Sequence, residues 1–358
     1  MVRREEEEST RAIRDDLGSP RRRGLLFAGI AVAMTAIAGA AVARAMLRRA
    51  SPSHHGEARA SSSAAAPIDV TTLARAPHLL FRNVELSDSG DFGKVAVTPL
   101  DPGGVPRRMT PLRCARLHFA AGQGLCLGLD ETNGRKTLLR TFGADLEPRW
   151  STELGGVPSR ARVSPDGRYG AVTIFVTGHS YSDADMSTQT LIIDMAADRV
   201  EGDLEKFEVT RDGSRFEAPD FNFWGVTFAR DPNRFYATLS SAGKTWLVEG
   251  DVAARKLRTM RENVECPSIS PDGKRLGFKK RIGGPGSWRL HVLDLATLED
   301  RKLAGEERPI DDQIEWVDDG HIVYKHGADV WTLPVDGSAA ARVFLPRASS
   351  PVVVRPPS

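Results

Sequence analysis

The fold class predicted is all-β: a six-bladed β-propeller preceded by one N-terminal transmembrane, signal-anchor helix. Three observations predict it. The 40 residues Val264–Leu303 divide into four short strand-like runs around one sharp turn. That form recurs, with the ends of corresponding strands spaced about 40 to 57 residues apart. A single uncharged apolar run stands ahead of all the repeats.

In Val264–Leu303 the strands are Cys266–Ser270 (a), Arg275–Lys280 (b), Arg289–Leu295 (c) and Asp300–Leu303 (d). Ser270-Pro271-Asp272-Gly273 joins a to b. Proline presets φ for the first turn position, Asp tolerates the second, and Gly takes the positive φ of a bulged hairpin. One blade cannot bury both of its faces, so it needs neighbours. Arg160–Asp194 repeats the form with its own Ser-Pro-Asp-Gly turn. Phe223–Met260 does so with Asp231-Pro232-Asn233, Ile314–Leu345 with Asp318-Asp319-Gly320, and Cys114–Trp150 with Gly122-Gln123-Gly124. Strand c ends at Pro99, Phe142, Asp194, Glu249 or Asp251, Asp294 and Pro334, which makes six blades.

The first blade reads as strands b (His78–Glu85), c (Lys94–Leu100) and d (Val105–Met109), with no strand a. Ser349–Val354 resembles the strand a run Glu265–Ser270. Val352–Val354 is therefore expected to supply the innermost strand of blade 1, closing the ring and removing its exposed edges.

The runs SPDGRYGAV (164–172) and SPDGKRLGF (270–278) resemble the WD40-like repeats of TolB-type six-bladed propellers. The exported part, Pro77 to Arg355, resembles TolB-like proteins of actinobacterial type, which carry a signal or anchor segment. The resemblance implies a propeller engaged in protein–protein contact in the cell envelope. It transfers no binding residue and names no partner. TolB proper carries an N-terminal α/β domain, where this sequence has an apolar run and a spacer.

Four regions follow: a polar tail (1–23), a transmembrane or signal-anchor helix (24–47), an Ala/Ser-rich spacer (48–76) and the propeller (77–355). The tail holds the acidic run Glu5–Glu8 and the basic run Arg21-Arg22-Arg23, and reads as a solvated tail. Gly24–Ala43 is about long enough to span a hydrocarbon core. Arginines are in excess on its N-terminal side, which favours an inside N-terminus. Two readings stand side by side: an uncleaved anchor, or a cleaved signal with Arg22-Arg23-Gly24-Leu25-Leu26 as a twin-arginine start and Ala41-Val42-Ala43 as the cut. Both place the repeats outside the cytoplasm, the first at the cell membrane as a single-pass protein. The spacer's His54-His55 pair is too small a ligand set for a metal.

A net charge of +2 in 358 residues gives no global field for nucleic acid. The three cysteines, Cys114, Cys126 and Cys266, are too few for a disulfide framework. They read as small buried strand residues, with at most one bridge among them.

In an antiparallel blade the a–b and c–d turns lie on one face, and the b–c turns and blade links on the other. The insertions fall on the second face: Thr177–Thr188, Glu208–Asn222, Arg281–Trp288 and Glu306–Asp312. Long loops on one rim of a rigid scaffold are where function concentrates. The ligand- or partner-binding candidates are therefore His179, Tyr181, Asp183 and Asp185 in the blade 3 loop, with Asn222 and Trp224 at the entry to blade 4. Asp183 and Asp185 alternate like part of a calcium cage, but without an EF-hand-type loop. The alternative for Phe223 and Trp224 is packing between blades.

No G-x-S-x-G elbow, H-E-x-x-H, P-loop or dinucleotide glycine fingerprint occurs. The expected function is a non-catalytic binding module with an envelope protein or peptide as partner and no cofactor. Two alternatives are kept. One is a calcium-dependent lactone or ester hydrolase, with Ca²⁺ ligands drawn from Glu265, Asp220, Asn222, Asp311 and Asp312. The other is a sensory ectodomain signalling to the tail.

Overall fold

The computed structural model describes residues 76–100, 107–129 and 136–355. The expected polar tail, the expected anchor helix and all but the last residue of the expected spacer, His54-His55 included, lie outside the described residues. Among the described residues no helix is long and apolar enough to cross a membrane.

In chain order, β1 (His78–Asn83), β2 (Lys94–Pro99) and β3 (Arg108–Arg113) belong to blade 1. Blade 2 holds β4 (Arg116–Ala120), β5 (Gln123–Leu129), β6 (Lys136–Gly143) and β7 (Pro148–Gly155). Blade 3 holds β8 (Val157–Val163), β9 (Tyr169–Thr177), β10 (Ser187–Asp194) and β11 (Arg199–Asp203). A short hairpin follows, β12 (Glu208–Arg211) and β13 (Ser214–Arg215). Blade 4 is β14 (Asn222–Phe228), β15 (Arg234–Ser241), β16 (Lys244–Asp251) and β17 (Lys256–Glu262). Blade 5 is β18 (Glu265–Ile269), β19 (Arg275–Arg281), β20 (Trp288–Asp294) and β21 (Asp300–Lys302). Blade 6 is β22 (Glu315–Trp316), β23 (His321–His326), β24 (Asp329–Pro334) and β25 (Arg342–Leu345). The final strand is β26 (Ala348–Val354). It returns to blade 1 and pairs antiparallel with β1, Leu80 facing Val352 and Leu79 facing Val353. The ring is closed by joining its two ends, as the valine run predicts.

The Ser-Pro-Asp-Gly turns are held in the same way in both blades. Ser164 Oγ donates to Asp166 Oδ1 at 2.6 Å, and that carboxylate also caps Arg168 N at 3.0 Å. Asp272 does the same for Ser270 at 2.5 Å and for Lys274 N at 3.0 Å. Gly273 sits at φ +74°, a left-handed conformation that explains the glycine. Further along β19, an added Cβ on Gly277 would come within 2.0 Å of Ile314 in blade 6, so this glycine sets how closely two blades pack.

Two segments differ from the expectation. The outer strand of blade 1 is Arg108–Arg113 rather than Val105–Met109. Its Pro111 is exposed on an edge strand, where a missing N–H costs nothing in pairing. The Glu208–Asn222 link does not stand free on the rim. Its hairpin pairs β12 in parallel with β17, extending blade 4 to six strands. Phe216 then packs edge-on to Trp246 at 5.7 Å, with the Arg211 guanidinium 4.1 Å from the Phe216 ring. Burying those rings outweighs leaving a polar link in solvent.

Cys114 and Cys126 form a disulfide that ties the end of β3 to β5, stapling blade 1 to blade 2; Cys266 is a buried free thiol. The bridge closes a short loop, with a sequence separation of 12. Chain entropy makes such a crosslink worth about 3 kcal/mol. Cys114→Ser, or reduction of the native protein, is expected to lower the melting temperature by several degrees in a calorimetric scan. Equal melting with and without reductant would contradict this.

Candidate functional site: an axial funnel with a charged base

The innermost strands β4, β8, β14, β18, β22 and β26 surround the axis. Side chains two apart on a strand share a face, so each strand sends alternate residues inward. β4 contributes His118, β8 Arg162, β18 Ser268 and β22 Glu315, and the first two and the last are about nine-tenths buried. Arg162 of blade 3 reaches across the axis and pairs with Glu315 of the opposite blade 6. Glu315 Oε1 also accepts from Val353 N of the closing strand at 3.3 Å. One carboxylate thus ties the ring closure to the far side of the ring.

Burial alone would push the Glu315 carboxyl up, but the Arg162 charge and the His118 contact hold it down at about 2. Val163 N donates to His118 Nδ1 at 3.1 Å, and the ring's Nε2 lies 3.0 Å from Arg162 Nη1 and 3.8 Å from Glu315 Oε2. Burial, and then the Arg162 charge, lower the His118 pKa. His118 is neutral at neutral pH.

Above this base the channel opens on the face of the Ser-Pro-Asp-Gly turns as a funnel of about 860 Å³. Its wall is apolar, with Leu80, Val97, Phe119, Val163, Phe228 and Trp316 among its members. Arg230 and Arg355 are exposed at the mouth. Among the residues lining it Glu315 is the only acid.

The other end of the channel is plugged. The blade 3 loop folds inward and buries Tyr181, 4% exposed, against Phe175 and Trp224, with ring centroids at 4.9 and 4.8 Å. Tyr181 shares a 2.5 Å hydrogen bond with Ser159. Lys279, fully buried, lies 4.8 Å from the Tyr181 ring and 4.1 Å from that of Trp288. Burial disfavours its charge, but negative partners outweigh that and raise its pKa, among them Asp311 at 2.5 Å.

The six residues singled out from sequence therefore divide. Tyr181 and Trp224 meet in the plug, and Trp224 is fully buried between blades. Asp183 turns back to cap His179 N and Ser180 N at 2.8 and 3.0 Å. Asn222 accepts from Thr188 N at 2.7 Å. His179 and Asp185 are exposed on the loop. Of the acids considered as calcium ligands, Asp220 caps Ala242 N and accepts from Ser241, and Asp311 and Glu265 pair with Lys279 and Arg281. Asp312 caps Lys325 N at 2.8 Å. Among the described residues no three His, Cys, Asp or Glu side chains are grouped to hold a metal ion.

His118, Arg162 and Glu315 were missed from sequence. A signal was present for one of them: Arg160 and Arg162 alternate within a strand a, so they share a face of an innermost strand that carries no other charge. Nothing local marked Glu315 or His118 as its partners.

Fold and funnel together define the class: a strand-closed six-bladed β-propeller with one blind axial recess. No family model and no curated protein matches the sequence. Among solved structures the chain is similar to TolB from Acinetobacter baumannii, at 12% identity and a TM-score of 0.57. That match covers 78% of this chain and 66% of that one, just under two-thirds of its length. It is also similar to a chain of the nidogen/laminin complex, at 14% identity and a TM-score of 0.53, covering 79% of this chain and 100% of that one. The fold is that of a TolB-like six-bladed propeller.

Proposed function

We propose that the protein is a non-catalytic protein-binding module of the cell envelope, and that the axial funnel receives a segment of its partner. The observation that carries the reading is the funnel: an apolar recess of about 860 Å³, open on one face and blocked at its base by the Arg162–Glu315 pair. A large concave apolar site with a few convergent polar groups is the usual form of a binding site. The TolB-like fold supports protein interaction in general. An envelope location draws support from the N-terminal apolar run and from the Cys114–Cys126 disulfide, a bond that persists in oxidising compartments.

A photo-crosslinking residue placed at Ala144, exposed at the funnel mouth, tests this against one at His179 on the plugged face. Irradiation of intact cells is expected to give a discrete protein adduct from position 144 and none from 179. An adduct from 179 alone would move the partner site to the blade 3 loop. Absence of adducts from both would remove the binding-module reading.

A further inference from the structure

We propose that the funnel captures the C-terminal end of a partner polypeptide, with its free carboxylate meeting Arg162 at the base. This deepens the preceding reading and rests on it. The geometry comes first. The Arg162–Glu315 pair spans the axis, and the Tyr181 plug closes the channel beyond it. An extended chain cannot thread through such a recess. It reaches the base with a chain end or with a tight turn.

Charge then selects the end. Arg162, Arg230 and Arg355 line the funnel, against Glu315 alone. Glu315 is already engaged by Arg162 and by Val353 N, so it offers little to an incoming ammonium group. Arg162 retains donor capacity. Its Nη1 serves Glu315, but its Nη2 makes only long contacts, 3.4 Å to Ser268 Oγ and 3.3 Å to Ile314 O. A carboxylate approaching Nη2 replaces these with a charge-assisted hydrogen bond. The apolar wall takes the last side chains, and exposed Arg230 and Arg355 steer an anion toward the mouth. Capture of a terminal carboxylate is a recurring mode of peptide recognition.

The test uses the full-length protein and two matched series of N-acetylated hexapeptides with varied apolar last residues, one as free acids and one as C-terminal amides. Binding is read by fluorescence polarisation. Free acids are expected to bind, with amidation weakening them at least about tenfold. Ala144→Trp, which narrows the mouth without touching Arg162, is expected to block them. In the Arg162→Leu/Glu315→Leu variant, acids and amides are expected to bind alike. If amides bind as well as acids to the native protein and Ala144→Trp blocks both, the carboxylate inference fails while the funnel reading stands. If neither series binds, or Ala144→Trp changes nothing, both fail. Should the double variant not fold, the acid-to-amide ratio on the native protein decides alone.

Discussion

Removing Ser350–Ser358 is expected to abolish cooperative folding of the propeller. The deletion takes away most of β26, including Val352, Val353 and Val354, which are 1%, 5% and 7% exposed. Burying each valine contributes roughly 1.5–3 kcal/mol. Their combined loss approaches the whole 5–15 kcal/mol by which a typical domain is stable. It also strips the partner from β1, leaving the apolar run Leu79–Phe81 as an open sheet edge. Val353 N is lost to Glu315 at the same time. The truncated protein is expected to aggregate, or to melt without a sharp transition in calorimetry and near-ultraviolet circular dichroism. A melting curve matching that of the full chain would refute the closure.

Separating Arg162 from Glu315 should produce the next largest effect. Glu315→Gln leaves a buried guanidinium facing a neutral amide. Breaking a buried pair from one side costs roughly 3–5 kcal/mol. For a domain of this size each kcal/mol moves the melting temperature about 2–4 °C. Replacing both partners, as in Arg162→Leu/Glu315→Leu, removes the two desolvated charges together and is expected to recover most of the loss. Equal melting of the native protein and Glu315→Gln would show that the pair does no stabilising.

The same pair predicts the acid limit. The folded pKa of Glu315 lies near 2, below its ordinary 4.5, so its contribution is present above the ordinary value and is lost as pH falls from there toward 2. That contribution is on the order of 3 kcal/mol. His118 acts in the same direction. Its folded pKa is lowered, first by burial, so stability begins to decline as pH drops below the ordinary histidine value of 6.5. Glu315→Gln should accordingly flatten the dependence of unfolding free energy on pH between about 5 and 2.

The repeat and its closure were legible because they are local chemistry. A Ser-Pro-Asp-Gly turn fixes where a hairpin reverses, through bonds within five residues of one another. The ends of strand c at Asp194, Asp294 and Pro334 coincide with the observed strand ends, since each is followed by a turn. Val352–Val354 was recognisable because an innermost strand is apolar and blade 1 had none. The blade 3 insertion was legible as a loop but not in its direction. Tyr181 turns inward because an aromatic ring gains more between Phe175, Trp224 and the cation of Lys279 than in water.

Turn chemistry and strand periodicity, acting over a few residues, thus settled the number of blades and how the ring is shut. Only the tertiary structure decided where the channel stays open. Arg162 and Glu315 are 153 residues apart, and nothing near either one specifies the other. They meet because six twisted blades bring opposite strands within a side chain's reach of one axis. Once desolvated there, each charge has to find its counterpart. That requirement makes the base of the funnel, and it belongs to the closed ring.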